Sequence, residues 1–125
     1  MPEIKTVYAN VFDLTITLAS LANDSTNLLA GRESTAVDNG TNLYADVHLS
    51  GRITCGTSPT SGNTIEVWAY GSIDDSPNTV DYPDVITGSD AAVTLTSANV
   101  KRLALRPVVR FTVDATTNRA YDFAD

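Results

Sequence analysis

Cysteine is nearly missing from this chain: Cys55 is the only one in 125 residues. No internal disulfide can form, and a reducing compartment is expected. Histidine is as scarce, with His48 alone, which excludes chemistry that needs two imidazoles. Long apolar runs are missing too. The longest are three or four residues, as at Pro107-Val108-Val109, against the ~20 that a membrane-spanning helix requires. Met1-Pro2-Glu3-Ile4-Lys5 has neither a charged n-region nor an apolar h-region, so no export signal is expected. The sequons at Asn23-Asp24-Ser25 and Asn39-Gly40-Thr41 then read as chance spellings. Basic charge is sparse: 8 Lys and Arg face 15 acidic residues, for a net charge of −7. Such a field repels phosphate backbones and anionic lipids, so neither nucleic acid nor membrane is expected as the main partner. No glycine cluster follows a strand and opens a helix, so no phosphate loop is present. Helical periodicity is the last absence, because no stretch of a dozen residues carries apolar side chains at three-four spacing.

What is there is alternation. The hydrophobic fraction of 42% and charged fraction of 18% suit a soluble globule, and the length suits one domain over residues 1–125. Phe12, Leu14, Ile16 and Leu18 alternate with Asp13, Thr15 and Thr17, the pattern of a strand with one buried face. From Leu43 to Cys55 the odd positions are apolar or small and the even ones largely polar, with Gly51 suggesting a bulge or bend. Residues 64–73 and 109–113 read the same way. Residues 4–8, 33–37, 93–95 and 120–123 are weaker candidates, and 97–105 suits either a helical turn or an irregular link. Asn39-Gly40 carries a tight-hairpin signal, residues 56–63 form a Gly/Ser/Thr/Pro loop, and 115–118 a short turn. Seven to eight short strands with polar turns and no crossover helices point to an all-β fold, an antiparallel sandwich of jelly-roll type.

Candidate working residues are few. His48 and Cys55 stand seven apart on one strand, so they point to opposite faces and cannot pair as base and nucleophile. Residues 74–90 form the one long connection, and loops of this length are usually functional or docked against a partner. Its carboxylates, Asp74, Asp75, Asp81, Asp84 and Asp90, suit calcium in number, but their spacing matches no EF-hand. No metal or cofactor is therefore expected. Paired carboxylates for glycoside hydrolysis need a deep cleft, which a small sandwich rarely forms alone, so an enzyme is not expected. Trp68 and Tyr70 lie opposite Ile65 and Val67 on their strand, where they suit a protein contact or, alternatively, a sugar platform. Arg32 and Glu33 suit an edge-strand contact, or charges that protect a sheet edge. Charge is also uneven: no basic residue stands between Arg52 and Lys101, while Lys101, Arg102, Arg106, Arg110 and Arg119 crowd the last quarter. A partner could read that asymmetry as orientation.

An ordered set of segments adds a resemblance. It runs from Leu29-Ala30-Gly31-Arg32-Glu33-Ser34-Thr35-Ala36-Val37-Asp38-Asn39 through Leu43-Tyr44-Ala45-Asp46 and Ser50-Gly51-Arg52-Ile53-Thr54 to Gly56-Thr57-Ser58-Pro59. It continues with Ile65-Glu66-Val67-Trp68-Ala69-Tyr70, Asp74-Asp75, Tyr82-Pro83-Asp84-Val85 and Val113-Asp114-Ala115-Thr116. Together these resemble small virion structural proteins of tailed bacteriophages. The likeness covers most of the chain after about residue 12, and no single motif in it is diagnostic. It implies a β-sandwich virion component assembled in the host cytoplasm, a head decoration or cement protein that binds the major capsid protein or other virion proteins. A homo-oligomer, with a trimer favoured, is the expected state. A neck, tail or fibre role is the alternative within the virion. The resemblance transfers no catalytic residues. The group carries a further strand-like C-terminal segment, so the last strand is expected from a neighbouring subunit or from further sequence. The partner-contact residues expected from the aromatic face, the edge charges and the 74–90 loop are Trp68, Tyr70, Arg32, Glu33, Asp74, Asp75, Tyr82 and Asp84.

Overall fold

The computed structural model describes residues 11–19, 21–38, 46–72 and 81–124. Among them the chain forms six strands and one short helix: β1 (Ala30–Glu33), β2 (Ser50–Thr54), β3 (Thr64–Ala69), β4 (Ala91–Thr94), α1 (Ala98–Ala104), β5 (Arg106–Thr112) and β6 (Ala120–Ala124). Among the described residues the fold is all-β apart from that helix. The strands pair as three two-stranded antiparallel sheets, β1 with β4, β2 with β6 and β3 with β5. The expected seven or eight strands become six among the described residues.

β3 and β5 carry the alternation that the sequence announces. Ile65 pairs with Phe111, and Val67 with Val109, on one face; Glu66 pairs with Arg110 on the other. A bulge between Val67 and Trp68 then shifts the register, so that Trp68 pairs with Pro107. This is where the ladder can accept a proline. β2 and β6 place Ile53 beside Tyr121 and Gly51 beside Phe123. Phe111 bridges the two sheets, its ring centroid 5.3 Å from Tyr121 and 6.2 Å from Phe123. Gly51 is where this seam is tightest, because a Cβ there would stand 2.8 Å from the Phe123 ring. The expected bend at Gly51 is thus a close approach within a regular strand.

Two expected strands are corrected. Residues 12–18 form no strand. The segment touches the rest of the chain through Thr35, whose N–H donates to the Thr15 carbonyl while its Oγ1 accepts from Thr15 N–H, and through Asp90, which accepts from Thr17. One backbone bond makes no ladder, and every residue from 11 to 17 is exposed. The long strand expected over 43–55 shortens to β2, because the β6 ladder begins at Ser50↔Ala124. Residues 46–49 have no partner strand among the described residues, and 43–45 lie outside them. The candidate at 33–37 instead becomes β1, ending at Glu33, while 93–95 and 120–123 fall on β4 and β6. The candidate at 4–8 and the Asn39-Gly40 turn lie outside the described residues. The 97–105 segment is helical: Ser97 caps α1, its Oγ accepting from Val100 N–H, as serine does at an N-cap.

The core is thin. Ile86, Leu95 and Val113 are the buried aliphatic side chains among the described residues, and no side chain there is fully enclosed. Two charged residues, Glu33 (4% exposed) and Lys101 (7%), are buried as deeply as those three. A buried charge needs partners: Lys101 has the Glu66 carboxylate, and Glu33 accepts three hydrogen bonds from neutral donors.

Candidate interaction surface

Glu33 closes β1 by reaching across to the end of the long loop. Its carboxylate accepts from Thr87 N–H at 2.8 Å, Thr87 Oγ1 at 2.9 Å and Gly88 N–H at 3.0 Å. Next to it, Arg32 donates to Asp90 at 2.9 Å, and Asp90 is held below the usual carboxylate range first by the Thr17 hydroxyl and N–H and then by Arg32, against burial. Arg32 Nε is buried without a hydrogen-bond partner. The two residues expected at an edge contact therefore join the strand to residues 87–90. Asp84 adopts a left-handed backbone (φ 59°) and accepts from Thr96 N–H. Tyr82 packs edge-on against Tyr70, with centroids 5.5 Å apart, and lies over Gly88, where a Cβ would meet the ring at 2.6 Å. Tyr70 donates to the Ser34 carbonyl at 2.7 Å, and burial raises its pKa. Five of the singled-out residues, Arg32, Glu33, Tyr70, Tyr82 and Asp84, thus belong to one network that holds the 81–90 segment onto β1 and β4. Asp74 and Asp75 lie outside the described residues.

Trp68 stands in a second cluster, built on β3 and α1. Its Nε1–H donates to Glu66 Oε2 at 3.0 Å, and Lys101 Nζ lies 5.0 Å from the ring centroid, within cation–π range. Lys101 also donates to Glu66 Oε2 at 2.6 Å and to the Leu28 carbonyl at 2.7 Å. Arg110 Nε lies 3.9 Å from Glu66 Oε1. Burial pushes the Glu66 carboxyl up, but the Lys101 ammonium, the Trp68 N–H and the Arg110 charge outweigh it and hold it below its ordinary value. Two grooves flank the cluster. One, about 270 Å³, runs between Thr26–Leu28 and α1, with Arg102 and Arg110 on its walls. The other, about 360 Å³, is lined by Val67, Pro107, Val108 and Val109, and shares Glu66, Trp68 and Arg110.

Sequence reasoning singled out Trp68 but missed Glu66, Lys101 and Arg110. The readable signal was the crowding of basic residues near the C-terminus, together with a glutamate two residues before the tryptophan on one strand face.

Elsewhere chemistry is sparse. His48 is exposed, with Nε2 3.7 Å from Asp46 Oδ2, and Cys55 is a half-buried thiol in no disulfide. Among the described residues no three His, Cys, Asp or Glu side chains gather as a metal site, and no helix is long and apolar enough to cross a membrane. Exposed apolar side chains are the more conspicuous feature: Val11 (89% exposed), Phe12 (48%), Leu14 (40%) and Ile16 (42%) follow one another along the N-terminal segment. Comparison with protein-family models, with curated proteins and with solved structures finds no match to any of them.

Proposed function

We propose that this chain is a non-enzymatic structural component of a bacteriophage virion, a decoration or cement protein that lies on the head and binds the major capsid protein and copies of itself. The observation that carries the assembly part of this reading is the N-terminal segment. Its apolar residues alternate as a buried strand would, yet residues 11–17 are exposed throughout. A contiguous apolar strip of this kind marks a surface that a partner covers. Strand addition to a neighbour would both bury it and satisfy its backbone. The thin core has the same reading: part of the burial that stabilises this fold comes from association. The sequence resemblance supplies the virion. The Phe111 seam between β3–β5 and β2–β6 supports a sandwich of jelly-roll type as the finished fold, with a symmetric oligomer, a trimer by preference, as the assembled state.

The test is the copy number of this protein in purified particles, by quantitative mass spectrometry against the major capsid protein. A ratio within a few-fold of the capsid protein supports the head role. A dozen copies or fewer moves the protein to the neck, tail or fibre. Absence from particles removes the virion reading and brings forward an adhesion or carbohydrate-binding module.

A further inference from the structure

We infer that the cationic groove beside Trp68 receives an acidic segment of a second copy of this chain, residues 81–85, with Asp81 as its anchoring carboxylate. The inference rests on the assembly reading above and names the contact through which copies meet.

The receiving side is defined by which cations are already used. Lys101 is spent on Glu66 and the Leu28 carbonyl. Arg102 on α1 is exposed. The Arg110 side chain is 67% exposed and lies beyond hydrogen-bond reach of Glu66 at 3.9 Å, with only a 3.4 Å contact to Thr64 Oγ1. Three cations and one carboxylate line this groove in a chain whose net charge is −7. Two guanidinium forks with donors to spare, facing one cleft, are built for a carboxylate, since arginine matches its planar, bidentate geometry. Beyond Arg110 and Trp68 the second groove is lined by Val67, Pro107, Val108 and Val109. A ligand that fills both halves carries a carboxylate and, a few residues away, an apolar side chain.

This chain carries such a ligand on its own surface. From residue 53 to residue 100 it has six carboxylates and no basic residue. Within the described part of that stretch, Asp81 and Val85 are exposed, while Pro83 between them is buried and holds the turn in place. The segment is pre-shaped, because Tyr82 is fixed against Tyr70 and Gly88 and Asp84 is held by Thr96 N–H. A pre-ordered ligand loses little entropy on docking. Groove and segment are different patches, so the contact is heterologous and either closes into a ring or runs on as a chain. Screening weakens such a contact, because its charges are exposed.

The experiment is sedimentation velocity on the full chain across a concentration series, at low and high salt. Self-association that weakens with salt is expected. Arg102→Glu with Arg110→Glu should weaken it at least about tenfold, and Asp81→Arg should do the same. Arg102→Glu alone and Asp81→Arg alter exposed side chains, so they keep the test valid if the double variant fails to fold. Mixing an arginine-reversed variant with Asp81→Arg should restore association that neither shows alone, because each reversed groove then meets a reversed segment. A monomer at every concentration, association indifferent to these reversals, or a mixture that fails to recover would each overturn the inference. Its failure is separable from that of the virion reading: a chain abundant in particles but monomeric in solution loses only this contact, and one that self-associates but is absent from particles loses only the virion.

Discussion

Lys101 and Glu66, 35 residues apart in the chain, meet at 2.6 Å with both side chains largely withdrawn from water. The pair joins α1 to β3 and orients Trp68 beneath the lysine. Removing one partner strands the other charge in a half-buried site, and that is the costly change. Lys101→Met should therefore cost about 3 kcal/mol in urea unfolding. The double variant Lys101→Met/Glu66→Gln should be more stable than Lys101→Met, because no uncompensated carboxylate remains. A single variant within a few tenths of wild type would show the pair to be incidental.

Glu33 should matter by a different route. Its carboxylate satisfies two backbone N–H groups and one hydroxyl at the end of the long loop. Glu33→Ala leaves those donors without their acceptor and should cost about 2–3 kcal/mol. Hydrogen exchange at Thr87 and Gly88 should accelerate more than exchange on β5, which lies in another sheet. Uniform acceleration would show that Glu33 supports the whole fold instead of this one junction.

Gly88 combines two demands that no other residue meets. Its φ is +74°, and the Tyr82 ring occupies the place of a side chain. Gly88→Ala should cost roughly 1–3 kcal/mol, from left-handed strain and displacement of the ring. Tyr82 fluorescence and near-UV circular dichroism should change with it, since Tyr70 loses its edge-on neighbour.

Acid should loosen the turn before β1. Asp24 accepts backbone N–H bonds from Leu29, Thr26 and Asn27, which together hold its pKa down at about 2 against an ordinary 3.8. A depressed pKa means that the contribution is present in full above the ordinary value and is lost as pH falls toward 2. Asp114 and Asp122 are lowered as well, by Thr116 N–H and by Arg52 respectively, and both act in the same direction. The melting temperature should drop between about pH 4 and pH 2. Asp24→Ala should flatten part of that drop while lowering stability at neutral pH. An unchanged acid profile in Asp24→Ala would show that its hydrogen bonds contribute nothing.

Much of the fold was legible where local pattern and partner agree. β3, β5 and β6 follow from alternation, because each finds a strand whose own alternation matches it across the ladder. The 97–105 segment suited a helical turn or an irregular link equally, and the Ser97 cap that makes it α1 shows only in the structure. Residues 12–18 show the limit: Phe12, Leu14 and Ile16 report a face that needs covering, but periodicity does not say who covers it. The register shift at Val67/Trp68 was equally hidden, since Pro107 acts on it from 39 residues away. Arg32 and Glu33 looked like edge charges, and their partners, Asp90 and residues 87–88, lie more than 50 residues on. Long-range pairing of polar side chains leaves little local signature: basic crowding near the C-terminus hinted at a cluster, but not that Lys101 and Arg110 meet Glu66.

The N-terminal segment offers the decisive measurement. Amide hydrogen exchange over residues 11–18, compared between the free chain and purified particles, reads whether assembly covers it. Fast exchange in the free chain and strong protection in particles is the expected result. Exchange that stays fast in particles would contradict the reading of this chain as a part whose exposed apolar segment is completed by its neighbours.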